Sequence, residues 1–122
     1  MSQRRTVFSG SEYESVVGYS RAVRTGPYIA VAGTIGSGDG IGAQTRDALR
    51  RIEIALQEIG ASLSDVVRTR IYVTDISLWQ AVGEVHAEVF GEIRPVATMV
   101  EVSRLISPEL LVEIEVDAYR ED

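Results

Sequence analysis

The chain has 122 residues, a formal net charge of −6 and 45% hydrophobic residues, which suits one domain around one core and excludes a disordered chain. It holds no cysteine and one histidine, and all twelve basic residues are arginine; this excludes disulfides, thiolate nucleophiles, Schiff-base or P-loop lysines and multi-histidine metal sites. No apolar run approaches the ~20 residues of a membrane span, and an acidic chain with scattered arginines argues against a nucleic-acid partner.

The opening MSQRRTVFSGSEYESV lacks the apolar core of a secretory signal, so a cytoplasmic location is the expectation. The pattern then predicts short strands at Arg5–Ser9 and Arg21–Thr25, a turn at Gly26-Pro27-Tyr28 and a third strand at Tyr28–Thr34. A glycine-rich stretch leads to an amphipathic helix, Thr45–Ile59, in which Ala48, Leu49, Ile52, Ala55, Leu56 and Ile59 recur at helical spacing. Gly60 is its expected terminator. Val66–Asp75 reads as a strand with two unlike faces: Val67, Thr69, Ile71 and Val73 against Arg68, Arg70 and Tyr72. A second helix follows at about Leu78–Phe90, with Trp79, Val82, Val89 and Phe90 as its apolar face. RPVATMVEV and LLVEIEVDAY are the last two strands.

The order β-β-β-α-β-α-β-β over residues 1–122 predicts a single α+β domain, a mixed sheet with two helices on one face. The other sheet face is expected to carry Arg68, Arg70, Tyr72, Met99, Glu101, Glu113 and Glu115, a mixture that suits contact with a second copy of the chain.

Two features invite chemistry. The run Gly33 to Gly38 spells G-x-x-G-x-G between a strand and a helix. A dinucleotide site also needs an acidic residue ~20 positions on, at the end of the next strand. Glu58 lies at that distance but inside the helix, so Gly36 to Gly42 are read as a flexible connection. The second feature is the row Glu113, Glu115 and Asp117 on one strand face, a pattern that also suits a solvated face or salt bridges between subunits; no metal ligand set is expected there. His86 falls at helical spacing from Trp79 and Val82 and is read as a core or interface histidine. Arg104 is read as a structural ion-pair partner.

GYSRAVRTGPYIAVAGTIG, RTRIYVTDISLWQAVGEVHAEVFG, RPVATMVEVSRL and LVEIEVDAY, in this order, resemble the Rid family, the YjgF-like reactive-intermediate deaminases. The resemblance implies a chorismate-mutase-like two-layer fold, a homotrimer with intersubunit clefts, and cofactor-free hydrolysis of imines. It places the cleft tyrosine on Tyr19, the strand glycine with its backbone in the cleft on Gly33, and the water-handling carboxylate on Glu113. Thr98 and Met99 would offer backbone N–H groups. The arginine that holds the substrate carboxylate is replaced by Ala97, and a helix asparagine by Gly83. Arg94, Arg68 and Arg70 are alternative sources of a guanidinium. Two functions follow as expectations: hydrolysis of an imine, enamine or related reactive metabolite other than an ordinary 2-imino acid, or small-molecule binding without catalysis.

Overall fold

A computed structural model describes residues 3–122. The strands are β1 (Arg4–Val7), β2 (Ala22–Thr25), β3 (Tyr28–Thr34), β4 (Val66–Val73), β5 (Val96–Glu101) and β6 (Val112–Tyr119). The main helices are α1 (Ile41–Glu58) and α2 (Trp79–Phe90). The six strands form one sheet in the order β1-β2-β3-β6-β4-β5, parallel between β4 and β5 and antiparallel elsewhere. Element type and order follow the hydrophobic periodicity.

The core lies between the sheet and the helices. Val112, Ile114, Val116 and Ala118 of β6 point into it, alternating with Glu113, Glu115 and Asp117 on the open face. Leu49, Ile52 and Leu56 of α1 are fully buried against them. Each such side chain contributes about 1.5–3 kcal/mol by leaving water.

The helix α1 starts four residues before the predicted Thr45, because Gly40, at φ 94°, turns the chain directly into it. The expected flexible connection is therefore short. Gly36 is buried, and a Cβ there would press into the Gln44 carbonyl and lie 2.6 Å from the Ala48 nitrogen. It serves close packing of backbone on helix.

The expected sheet faces need three corrections. Met99 and Glu101 lie opposite Ile71 and Val73 in the parallel pair, so they share the helix-covered side, and Met99 packs on the core. Thr98 and Val100, opposite Arg70 and Tyr72, take the open face instead. In β4 a register shift between Val66 and Arg68 buries Val66 and exposes Val67. Two side chains also differ from expectation. Trp79 is 54% exposed rather than part of the buried helix face, and Arg104 makes no ion pair among the described residues.

Candidate functional site

The site begins with an irregularity. The pairing of β3 with β6 shifts register between Val31 and Thr34, which brings the Gly33 backbone up to the Glu113 side chain. A Cβ on Gly33 would collide with the Glu113 carboxylate. Glycine is thus required for the carboxylate to lie over the strand. Burial and the neighbouring Glu115 charge push the Glu113 carboxyl above its ordinary range, and Arg21 pulls it partly back. No hydrogen-bond donor among the described residues offsets that burial. A half-buried carboxylate without a protein donor keeps its lone pairs free for water.

Arg21 is the functional-site residue that sequence reasoning missed. It pairs with Ala32 just ahead of β2. Its Nη1 donates to Thr34 Oγ1 at 2.6 Å and its Nη2 to the Gly33 carbonyl at 3.2 Å. Its Nε is buried without a hydrogen-bond partner, 3.8 Å from the Glu14 carboxylate. Its guanidinium carbon sits 5.9 Å from the Tyr19 ring centroid, within cation–π reach. The signal was present in the sequence: Tyr19 and Arg21 are two apart in an extended chain and so share a side.

Tyr19 is held from behind. A π turn over Glu14–Gly18 ends where the Tyr19 N–H donates to the Glu14 carbonyl at 2.9 Å. Turns of this type break helical regularity and often mark functional sites. The Glu14 side chain is buried. Burial pushes its carboxyl up, but hydrogen bonds from Ser9 and Gly10 and the Arg21 charge outweigh this and hold it below its usual range. Tyr19 is half-buried and lines a cavity of about 460 Å³ with Ala32, Arg70, Glu115 and Asp117.

The rest of the acidic row is already partnered. Tyr72 donates to Glu115 at 2.7 Å, Arg70 donates to Asp117 at 3.2 Å, and Arg68 lies 3.7 Å from Asp117. Two of the arginines considered as replacements for the missing one are thereby committed to this row.

The other predicted residues lie elsewhere on the chain. Arg94 is exposed, at φ 57°, immediately before β5. Ala97 and Thr98 are exposed and Met99 is half-buried. Their strand is the sheet's outer edge, two strand spacings from β6, or about 10 Å. One copy of the chain therefore does not bring Ala97, Thr98 and Met99 to Glu113. Beside this edge, His86 meets Thr69 with Nε2 3.0 Å from Oγ1, and Thr69 lies opposite Ala97. Burial lowers the His86 pKa. Among the described residues no cluster of three or more metal-ligating side chains exists, and no helix is long and apolar enough to cross a membrane.

A mixed six-stranded sheet with its two main helices on one face makes this an α+β two-layer protein. The model of the family described as Endoribonuclease L-PSP matches residues 9–120, and the chain belongs to that family, the Rid or YjgF/RutC family. A RutC family protein of Pyrococcus abyssi is 36% identical, over 97% of this chain and 98% of its own. The 3-aminoacrylate deaminase RutC of Acinetobacter baylyi is 40% identical over 72 residues, covering 59% of this chain and 56% of its own. Among solved structures, Rv2704 of Mycobacterium tuberculosis, a member of the YjgF/YER057c/UK114 family, superimposes with a TM-score of 0.96 at 73% identity, covering 97% of this chain and all of that one (100%).

Proposed function

We propose that this protein hydrolyses an imine or enamine to a carbonyl compound and ammonia, without a cofactor, on a small substrate lacking the α-carboxylate of an amino acid. The observation that carries this reading is the Glu113 carboxylate, half-buried, without a protein donor and lying over the Gly33 backbone. A water bound there gives a proton to Glu113 as its oxygen attacks the imine carbon. With a protonated imine this leaves a neutral amino alcohol; Glu113 returns its proton to the nitrogen, the C–N bond breaks, and the hydroxyl proton passes to the freed Glu113 carboxylate as the C=O forms and ammonia leaves. Tyr19 borders the same face and would orient the substrate.

The β5 edge completes this reading. Val96 and Val100 are exposed there, beside Ala97 and Thr98. In a homotrimer the β5 edge of one copy would close the Glu113 face of the next, so that Arg94, Ala97, Thr98 and the Met99 backbone form the far wall. With alanine at position 97, that wall offers no guanidinium fork. Loss of such a fork costs about 1.5–3 kcal/mol in holding a carboxylate, which supports a neutral or differently charged substrate. The deaminase named among the relatives supports the reaction class. The endoribonuclease in the family's description is not favoured: the −6 charge and the acidic β6 face repel a polyanion. The second reading, a non-enzymatic small-molecule binder, rests on Ala97 alone.

Ammonia release from imines generated in place tests the proposal. An amino-acid oxidase supplies 2-imino acids and a flavin amine oxidase supplies imines without a carboxylate. Acceleration of the second set alone is the expected result. Acceleration of the first set alone removes the substrate assignment. Acceleration of neither, beside a working deaminase control, leaves the binding reading.

A further inference from the structure

We infer that Arg21 is a positioning residue for Glu113: its guanidinium ties down the strand on which the carboxylate lies and is the positive charge that faces it. The inference names the regulation of the proposed site and rests on that reading only for its effect on turnover. The coupling itself is a property of the folded chain.

Geometry is the first argument. Nη1 and Nη2 are spent on Thr34 Oγ1 and the Gly33 carbonyl. Those two acceptors flank the register shift in β3 on which Glu113 lies. One N–H of each Nη is thereby committed to the protein, and the guanidinium is fixed against the strand. Its action on Glu113 runs through that strand.

Charge is the second argument. Glu113 faces Glu115 on its own strand, Tyr72 opposite on β4, the Gly33 backbone on β3, and Arg21 from the segment ahead of β2. Arg70 is turned to Glu115 and Asp117. Among these neighbours Arg21 is the one that favours the charged carboxylate; burial and Glu115 oppose it. The Nε group completes the picture, since it is buried without a hydrogen bond and has only Glu14, at 3.8 Å, to offset its charge. An arginine used only to brace the strand would normally have its buried N–H satisfied.

The test is a titration of the Glu113 side-chain carboxyl by carbon NMR in the parent, Arg21→Gln and Arg21→Lys proteins. Arg21→Gln should raise the Glu113 midpoint by about half a pH unit, less than the ~1–3 units of a contact pair because the two groups do not form an ion pair. Arg21→Lys, which keeps charge but loses the fork, should stay closer to the parent. A midpoint in Arg21→Gln within about 0.2 units of the parent, too small for an adjacent charge, overturns the inference. Should Arg21→Gln not fold, the parent protein answers alone. The Arg21 guanidinium nitrogen resonances should shift with the Glu113 midpoint, and Glu113→Gln should abolish that step while leaving the lower Glu14 step in place. No such step in the parent overturns the inference. If turnover is found, Arg21→Gln should lower kcat and move its acidic limb upward with little change in KM. None of the NMR outcomes depends on turnover, so failure here and failure of the hydrolase reading are separate results.

Discussion

Two arginines three residues apart show how one side chain serves two ends. Arg24 lies in β2 with every guanidinium nitrogen bonded: Nε to the Gly26 carbonyl at 2.9 Å, Nη1 to the Ile59 carbonyl at 3.2 Å, Nη2 to the Arg120 carbonyl at 2.8 Å and to Asp122 at 2.6 Å. It ties together a turn, the end of α1 and the C-terminal segment. Arg21 leaves one nitrogen without a partner and stands next to a carboxylate without a donor. The first is a closed network that fixes the fold. The second is incomplete, as a site must be if it is to accept water or a ligand. Buried polar groups left unsatisfied cost stability, so they persist where something other than stability retains them.

The comparison is broken most easily at its closed end. Arg24→Met should lower stability by about 3 kcal/mol, because it strips donors from several carbonyls at once. Denaturant unfolding measures this. The turnover of the molecules that remain folded should be unchanged. A variant of parent stability would show that the Arg24 network is ornamental and that the contrast is empty.

The open end should respond in the opposite sense. Glu113→Gln should reduce imine hydrolysis at least about a hundredfold, the usual scale of a general base. Stability should move the other way. The folded protein holds the Glu113 proton more tightly than the unfolded chain does, so this group's contribution is favourable in acid and falls as pH rises above the ordinary carboxylate range. Glutamine removes that penalty. The variant should melt higher than the parent near neutral pH, and the gain should vanish in acid. Equal melting at both pH values would remove the evidence that Glu113 is held under strain for function.

Gly33→Ala sharpens the same point with a smaller change. The new methyl group meets the far end of the Glu113 side chain, which can swing aside. The fold should survive, and activity should fall about tenfold through displacement of the carboxylate. A large loss of stability with normal specific activity would instead mark Gly33 as a folding requirement.

What was legible in the sequence follows the same division. Alternation in VEIEVDAY and the apolar spacing of α1 are local signals, and both placed their residues on the correct side. The faces of β5 are not local. Met99 and Glu101 take the helix side, Met99 packed on the core and Glu101 exposed, through the register of β5 on β4, and nothing in RPVATMVEV states that register. Trp79 falls on the helical period of the apolar face, yet no element covers it. Tyr19 and Glu113 were legible chiefly through resemblance to a family. Arg21 was not, because its role depends on the π turn behind it and the register shift in β3 beside it. Neither irregularity has a periodic signature.

The smallest effect concerns a third region, where His86 on α2 meets Thr69 on β4. Burial lowers the His86 pKa, so the folded protein resists protonation that the unfolded chain accepts. Its contribution to stability is complete above the ordinary imidazole value and is lost as pH falls through it. The parent should therefore lose more stability between neutral and mildly acidic pH than His86→Gln does. Thermal melting at the two pH values reads the difference. The result bears on more than one contact, because Thr69 lies opposite Ala97, on the β5 edge proposed to face Glu113 of a second copy. An imidazole that titrates above its ordinary value would place an ionisable acid beside that wall. The proposed cleft between copies would then have an acid on one copy and a base on the next, and the contrast between a closed, structural end and a single open one would no longer hold.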